Sequence, residues 1–191
     1  MIKHFYQELP GWTDFQDIYK KEVERASPWG GTFVELGTWC GRSLAYLAVE
    51  IVNSGKEITA YSIDHWNGLA HHDPPLPWSF ESVADLFYKR LGPKMLNVAR
   101  MIRGKSDETS SCFIDGSVDF VFIDAAHDYE HVKKDIAAWW PKMKSGGTFA
   151  GHDYFPNGKQ WPGVAKAVHG FAKRERVKIE RIGTSWVTKK P

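Results

Sequence analysis

The run Val118-Asp119-Phe120-Val121-Phe122-Ile123 is apolar almost throughout and ends in Asp124-Ala125-Ala126-His127-Asp128-Tyr129. A strand without polar alternation is covered on both faces, the condition of a parallel sheet packed between helices. The flanking sequence agrees. Short β-type runs at 32–36, 58–63, 98–103, 118–123 and 148–151 alternate with helical patterns at 43–52, 80–91, 129–143 and 164–174. An amphipathic helix over 13–25 precedes them, with Asp14 as an early-turn acid, and Ser27-Pro28-Trp29-Gly30-Gly31 stops it. Runs at 178–182 and 185–188, split by Gly183-Thr184, read as a terminal β-hairpin. The pattern predicts an α/β fold with a mostly parallel sheet and helices on both faces. The 191 residues fit one domain, with a helical segment over 1–30. The irregular stretch 66–78, which carries His71-His72-Asp73, has the length of a lid or binding loop.

Composition narrows the function classes. With 25 basic and 23 acidic residues the net charge is +2, so no nucleic-acid or membrane partner is demanded. The basic residues Lys173, Arg174, Arg176, Lys178 and Arg181 read as a solvated face. No apolar run approaches the roughly 20 residues that span a bilayer. The first residues lack the basic-then-apolar order of a secretory signal, so a cytoplasmic location is expected. Cys40 and Cys112 have no metal-type spacing.

Four stretches carry the chemistry. In Val34-Glu35-Leu36-Gly37-Thr38-Trp39-Cys40-Gly41-Arg42-Ser43, a strand runs through a glycine turn into a helix. Such a turn stands at the carboxyl end of a parallel strand, where ligands bind. Gly37 permits close approach of backbone to ligand, Gly41 permits tight packing, and the helix start offers free N–H groups. The Gly-x-x-x-Gly spacing lacks the third glycine of a pyrophosphate-binding turn. Ser62-Ile63-Asp64-His65 ends the second strand with an acid able to accept both hydroxyls of a ribose, or to cap a helix. Gly104-Lys105-Ser106-Asp107, after the third strand, is placed to border an adenine. Asp124-x-x-His127 and His152-Asp153-Tyr154 end strands four and five, where buried acids and imidazoles need partners. The paired His-Asp dipeptides suggest a helical metal phosphohydrolase, but both follow strands, and that reading fails.

The combination Glu35-Leu36-Gly37-Thr38-x-x-Gly41-x-Ser43, Ile123-Asp124-x-x-His127-x-Tyr129, Gly146-Gly147, His152-Asp153-Tyr154 and Gly163-Val164-x-x-Ala167-Val168 resembles the class I methyltransferase family called methyltransferase 24. That family is similar to the catechol-type and macrolide-sugar O-methyltransferases. The resemblance implies a Rossmann-like, seven-stranded sheet whose last strand is antiparallel. It implies S-adenosylmethionine as cofactor, with a site drawn from Glu35, Gly37, Thr38, Trp39, Gly41, Arg42, Ser43, Asp64, His65, Ser106, Asp107 and Asp124.

For the reaction, His127 suits a general base toward a hydroxyl, with Asp124 orienting it or binding that hydroxyl. Asp124, His152 and Asp153 form a candidate site for a divalent metal such as magnesium. Catechol-type relatives have a lysine at the position of His127 and an Asp-Asp or Asp-Asn pair where this chain has His152-Asp153. The expected activity is O-methylation of a small molecule or sugar, and the expected assembly is a homodimer. A nicotinamide-dependent oxidoreductase is disfavoured by the missing glycine and the absence of Tyr-x-x-x-Lys; a non-catalytic cofactor-binding module is the third reading.

Overall fold

A computed structural model describes residues 1–66 and 78–191. In chain order the elements are α1 (Gln16–Arg25), β1 (Gly31–Leu36), α2 (Arg42–Ser54), β2 (Ile58–Asp64), α3 (Phe80–Leu91), the single turn α4 (Met95–Val98), β3 (Ala99–Arg103), the single turn α5 (Ser106–Thr109), β4 (Val118–Ile123), α6 (Tyr129–Trp139), β5 (Met143–Gly151), α7 (Pro162–Glu175), β6 (Glu180–Ile182) and β7 (Ser185–Lys189). The expected lid over 66–78, with His71, His72 and Asp73, falls almost wholly outside the described residues.

One seven-stranded sheet has the order β3-β2-β1-β4-β5-β7-β6. Strands β1 to β5 are parallel, and β7 runs antiparallel to both β5 and β6. This is the Rossmann-like class I architecture expected from the sequence. Consecutive strands are added to one side as far as β3, then the chain returns to place β4 on the other side of β1. The loops after β1 and β4 therefore part at their carboxyl ends and leave a crevice there.

The apolar run of β4 is buried on both faces because successive side chains point to opposite sides. Phe120 and Phe122 join Phe33, Tyr19, Leu44, Leu47 and Phe87 in a core against α1, α2 and α3. Val121 and Ile123 join Val34, Leu36, Val132, Ile136 and Phe171 in a second core against α6 and α7. Phe122 is fully buried, and its truncation to Ala costs about 3–5 kcal/mol for a buried aromatic of this kind.

Two local expectations need correction. The helix predicted over 129–143 ends at Trp139, and Trp140–Lys142 forms a 3-10 turn. Pro141 cannot supply the N–H that an α-helix would require there. Strand β5 accordingly starts at Met143 instead of Thr148, with an irregular register against β4 between Val118 and Phe120. A Cβ on Gly147 would lie 2.9 Å from Lys144 O and 3.0 Å from Asp119 O, so the glycine permits this tight passage. Asp14, expected in the first turn of α1, lies outside the helix and is engaged elsewhere. Among the described residues, no helix is long and apolar enough to cross a membrane.

Candidate active site

The carboxyl ends of β1, β2, β4 and β5 open into a cleft of about 1130 Å³. That exceeds the ~300–1,000 Å³ of a usual small-molecule pocket, leaving room for a cofactor and an acceptor side by side. Gly37, Thr38, Trp39, Arg42, Ser43, Asp64, His65, Ser106, Asp107, Asp124, His127, His152 and Asp153 line it. Of the residues singled out by sequence, Glu35 and Gly41 do not.

Glu35 is 1% exposed and lies beneath the turn. Its carboxylate accepts from Tyr19 Oη at 2.8 Å and from Ser62 Oγ at 3.1 Å. Burial pushes it up to about 7, against the lowering effect of hydrogen bonds from Tyr19, Ser43 and Ser62. Its place is a buried polar strut between α1, β1 and β2. Gly41, at φ +83°, starts α2; a Cβ there would meet Val83 Cγ1 at 2.8 Å, so its freedom serves packing against α3.

Gly37 adopts φ +87°, and a Cβ would fall 2.1 Å from Asp124 O. The close approach that this glycine permits is to the backbone at the end of β4, which brings the two halves of the crevice together. Asp64 then fixes the turn. Its Oδ2 accepts from Thr38 N and Trp39 N, each at 2.9 Å, and its Oδ1 accepts from Trp66 N at 2.7 Å. Oδ2 thereby spends both lone pairs on backbone N–H groups, so a ribose hydroxyl would have to be met at Oδ1. Ser106 Oγ donates to Asp135 Oδ1 at 2.5 Å, and Trp139 Nε1 donates to Ser106 O at 2.8 Å. Helix α6 thus holds the loop expected at the adenine.

At the other end of the cleft, His127 Nε2 lies 2.8 Å from Asp153 Oδ2. Asp153, rather than Asp124, is the carboxylate that orients His127; Asp124 Oδ1 instead faces His152 Nδ1 at 3.5 Å. His152 Nδ1 is also 3.5 Å from Asp153 Oδ2. Burial would lower the His152 imidazole, but hydrogen bonds and charge from Asp124 and Asp153 together outweigh it and push it up to about 11. Burial acts to raise Asp153, yet the two histidines hold it well below the usual carboxylate range. Burial keeps Asp124 above its ordinary value despite His152. The hydrogen bond to Asp153 raises His127, against a smaller effect of burial.

One ligand atom from each of Asp124, His152 and Asp153 lies within 4.8 Å of the others. Two carboxylates and an imidazole at this spacing fit a divalent cation, with borderline transition metals suited to the nitrogen donor.

Sequence reasoning missed several walls of the cleft. Trp12, Asp14, Phe155, Gln160, Trp161 and Thr184 all line the cleft. Trp161 stacks on His127 with ring centroids 4.2 Å apart, and Trp12 stacks on Trp39 at 5.6 Å. The nearby Trp-Pro-Gly in 161–163 is the turn signal that could have marked Trp161.

A family model described as a methyltransferase domain, methyltransferase 24, matches residues 34–154. This chain belongs to that family. The match spans the glycine turn, Asp64, Asp124 and His152-Asp153, so the methyltransferase has its family segment on the strand ends that build the cleft. It is a class I, S-adenosylmethionine-dependent enzyme. Its fold is similar to that of the O-methyltransferase NovP, with a TM-score of 0.71 and 18% identity, covering 92% of this chain and 78% of that one. It is similar to CalS11, a TDP-rhamnose 3'-O-methyltransferase, with a TM-score of 0.63 and 15% identity over 91% and 76% of the two chains. MycE from the mycinamycin biosynthetic pathway, in complex with Mg and SAH, matches with a TM-score of 0.61 and 16% identity over 95% and 51%.

Proposed function

We propose that this methyltransferase methylates a hydroxyl oxygen on a small molecule of sugar type, with His127 as general base. The observation that carries this reading is convergence: His127, Asp124, His152 and Asp153 meet at one end of the cleft whose other end holds Asp64 and the Gly37–Ser43 turn. Bound S-adenosylmethionine supplies an electrophilic methyl group on a positively charged sulfur.

With Nε2 turned to Asp153, His127 accepts the acceptor's proton at Nδ1, and the Asp153 carboxylate stabilises the resulting imidazolium. S-adenosylmethionine held along Gly37, Thr38, Asp64 and Asp124 would supply its methyl group to the acceptor oxygen, with the carbon–sulfur electron pair left on sulfur. Asp64, Ser106 and Asp107 hold the nucleoside end; Gly37, Thr38 and Asp124 border the methionine end. Trp161, stacked on His127, gives the acceptor end an aromatic wall, and Gln160 and Asp14 give it polar edges. A divalent cation held by Asp124, His152 and Asp153 would acidify a bound hydroxyl. NovP and CalS11 are O-methyltransferases and MycE holds Mg, which supports the oxygen acceptor and the cation in this reading. The near-neutral charge balance supports a small acceptor over a nucleic acid.

Isothermal titration with S-adenosylmethionine, followed by an assay of demethylated cofactor release across a panel of hydroxylated glycosides, tests it. Cofactor binding and turnover with a glycoside are expected. No binding at millimolar cofactor, or methylation confined to amines or RNA, would overturn it.

A further inference from the structure

His152 is held from both sides. Its Nδ1 faces Asp124 and Asp153, while its Nε2 lies 2.7 Å from Asp14 Oδ1 and 2.9 Å from Thr184 Oγ1. Asp14 is 138 residues away in sequence and precedes α1; Thr184 sits in the turn between β6 and β7. The Thr184 hydroxyl donates to Asp14 Oδ2 at 2.7 Å, so its oxygen and the carboxylate both accept from His152 Nε2–H. The hairpin turn is itself fixed, because Tyr154 N donates to Thr184 O at 2.7 Å. The ring edge packs on Phe15 with centroids 5.0 Å apart, and the His152 side chain is 13% exposed. With Nε2–H held by Asp14 and Thr184, Nδ1 is the nitrogen that faces the carboxylate pair, where a bound cation would take the place of the Nδ1 proton, and the ring cannot turn without breaking two hydrogen bonds.

We propose that Asp14, aided by Thr184, is a positioning residue that fixes His152 with Nε2 protonated and Nδ1 as the nitrogen donor of the Asp124–His152–Asp153 cation site. The inference rests on the cation reading above. It assigns the segment before α1 a part in that site: a carboxylate on the outer nitrogen of a ligating histidine sets its tautomer and raises its donor strength, an arrangement whose loss costs about 10–100-fold in metal affinity.

The test is Mn²⁺ binding to the full chain, followed by electron paramagnetic resonance with detection of nitrogen coupling to the bound ion. Asp14→Ala is expected to weaken Mn²⁺ about 10–100-fold and to lose the nitrogen coupling. Asp14→Asn, which keeps an oxygen acceptor, is expected to retain the coupling. Thr184→Val gives an intermediate loss and serves if Asp14→Ala fails to fold, as judged by S-adenosylmethionine titration. Wild-type affinity and coupling in both Asp14→Ala and Thr184→Val would overturn the positioning role and leave the cation site standing. Absence of Mn²⁺ binding to the wild-type chain would overturn the cation reading, and this inference with it.

Discussion

His127 Nε2 and Asp153 Oδ2 stand 2.8 Å apart, so a side chain from the turn after β4 meets one from the end of β5. The pair joins two loops that share no local sequence, and it fixes Nε2 as the engaged ring nitrogen of His127, leaving Nδ1 for the acceptor we propose. A third group completes it: Trp161 covers the imidazole face at 4.2 Å.

Replacing His127 with Gln keeps a polar side chain but removes the proton acceptor. The expected result is a fall in kcat of about 10²–10⁴-fold, the usual contribution of a positioned general base. The affinity for S-adenosylmethionine, measured by titration, should be unchanged. A variant that retains wild-type kcat would show that the proton leaves by another route.

Removal of a bound cation gives a separate prediction. Treatment with EDTA should abolish glycoside methylation, and Mn²⁺ should restore it at lower concentration than Mg²⁺, because His152 adds a nitrogen to the two carboxylates. Full activity after exhaustive chelation would leave Asp124, His152 and Asp153 as an ion-pair network alone.

Much of this architecture is legible in the sequence. The run 118–123 and the helix Phe80–Leu91 coincide with β4 and α3 residue for residue, because burial on both faces and an amphipathic stripe are local patterns. Asp124, His127, His152 and Asp153 were also legible, since strand ends are where parallel sheets place their chemistry. Their pairing was not. Whether Asp124 or Asp153 meets His127 depends on side-chain directions across two loops, and Asp153 adopts a left-handed φ of +55° that no spacing reveals. Asp14 read as a helix-start acid for the same reason: its partners lie 138 and 170 residues along the chain. Glu35 looked like part of the cofactor turn because it precedes Gly37 by two residues, but the strand pleat turns it inward to Tyr19.

Trp161 holds a left-handed backbone at φ +44° and is 41% exposed, an arrangement that carries a steric cost. Its ring lies over an imidazole that becomes cationic when His127 takes a proton, a contact worth about 1 kcal/mol. Trp161→Ala should therefore lower kcat/KM about 5–10-fold, with most of the loss in kcat because the cation forms only during the reaction, while Trp161→Phe keeps most of the activity. Steady-state kinetics at saturating cofactor would show it, and equal kcat values in all three proteins would mean that the ring does not stabilise the imidazolium.

Asp135 links stability to pH through the loop after β3. Its side chain on α6 is 2% exposed and accepts from Ser106 Oγ through Oδ1, and its buried Oδ2 has no hydrogen-bond partner among the described residues. Burial pushes the carboxyl up to about 6, against the lowering effect of the Ser106 hydrogen bond. Between its ordinary value of 3.8 and about 6, the folded chain binds more protons at this site than the unfolded chain. Stability from this group is therefore full below pH 4 and is lost as pH rises through 6, a change of about 3 kcal/mol for a shift of this size. Asp135→Asn removes the ionisation but leaves a buried amide with one group to satisfy, which costs about 1–3 kcal/mol at every pH. The decisive readout is consequently the slope. Urea unfolding at pH 4 to 7.5 should show the difference in stability between Asp135→Asn and wild type moving in the variant's favour as pH rises. Parallel curves over that range would mean that Asp135 is ionised, and paired, throughout.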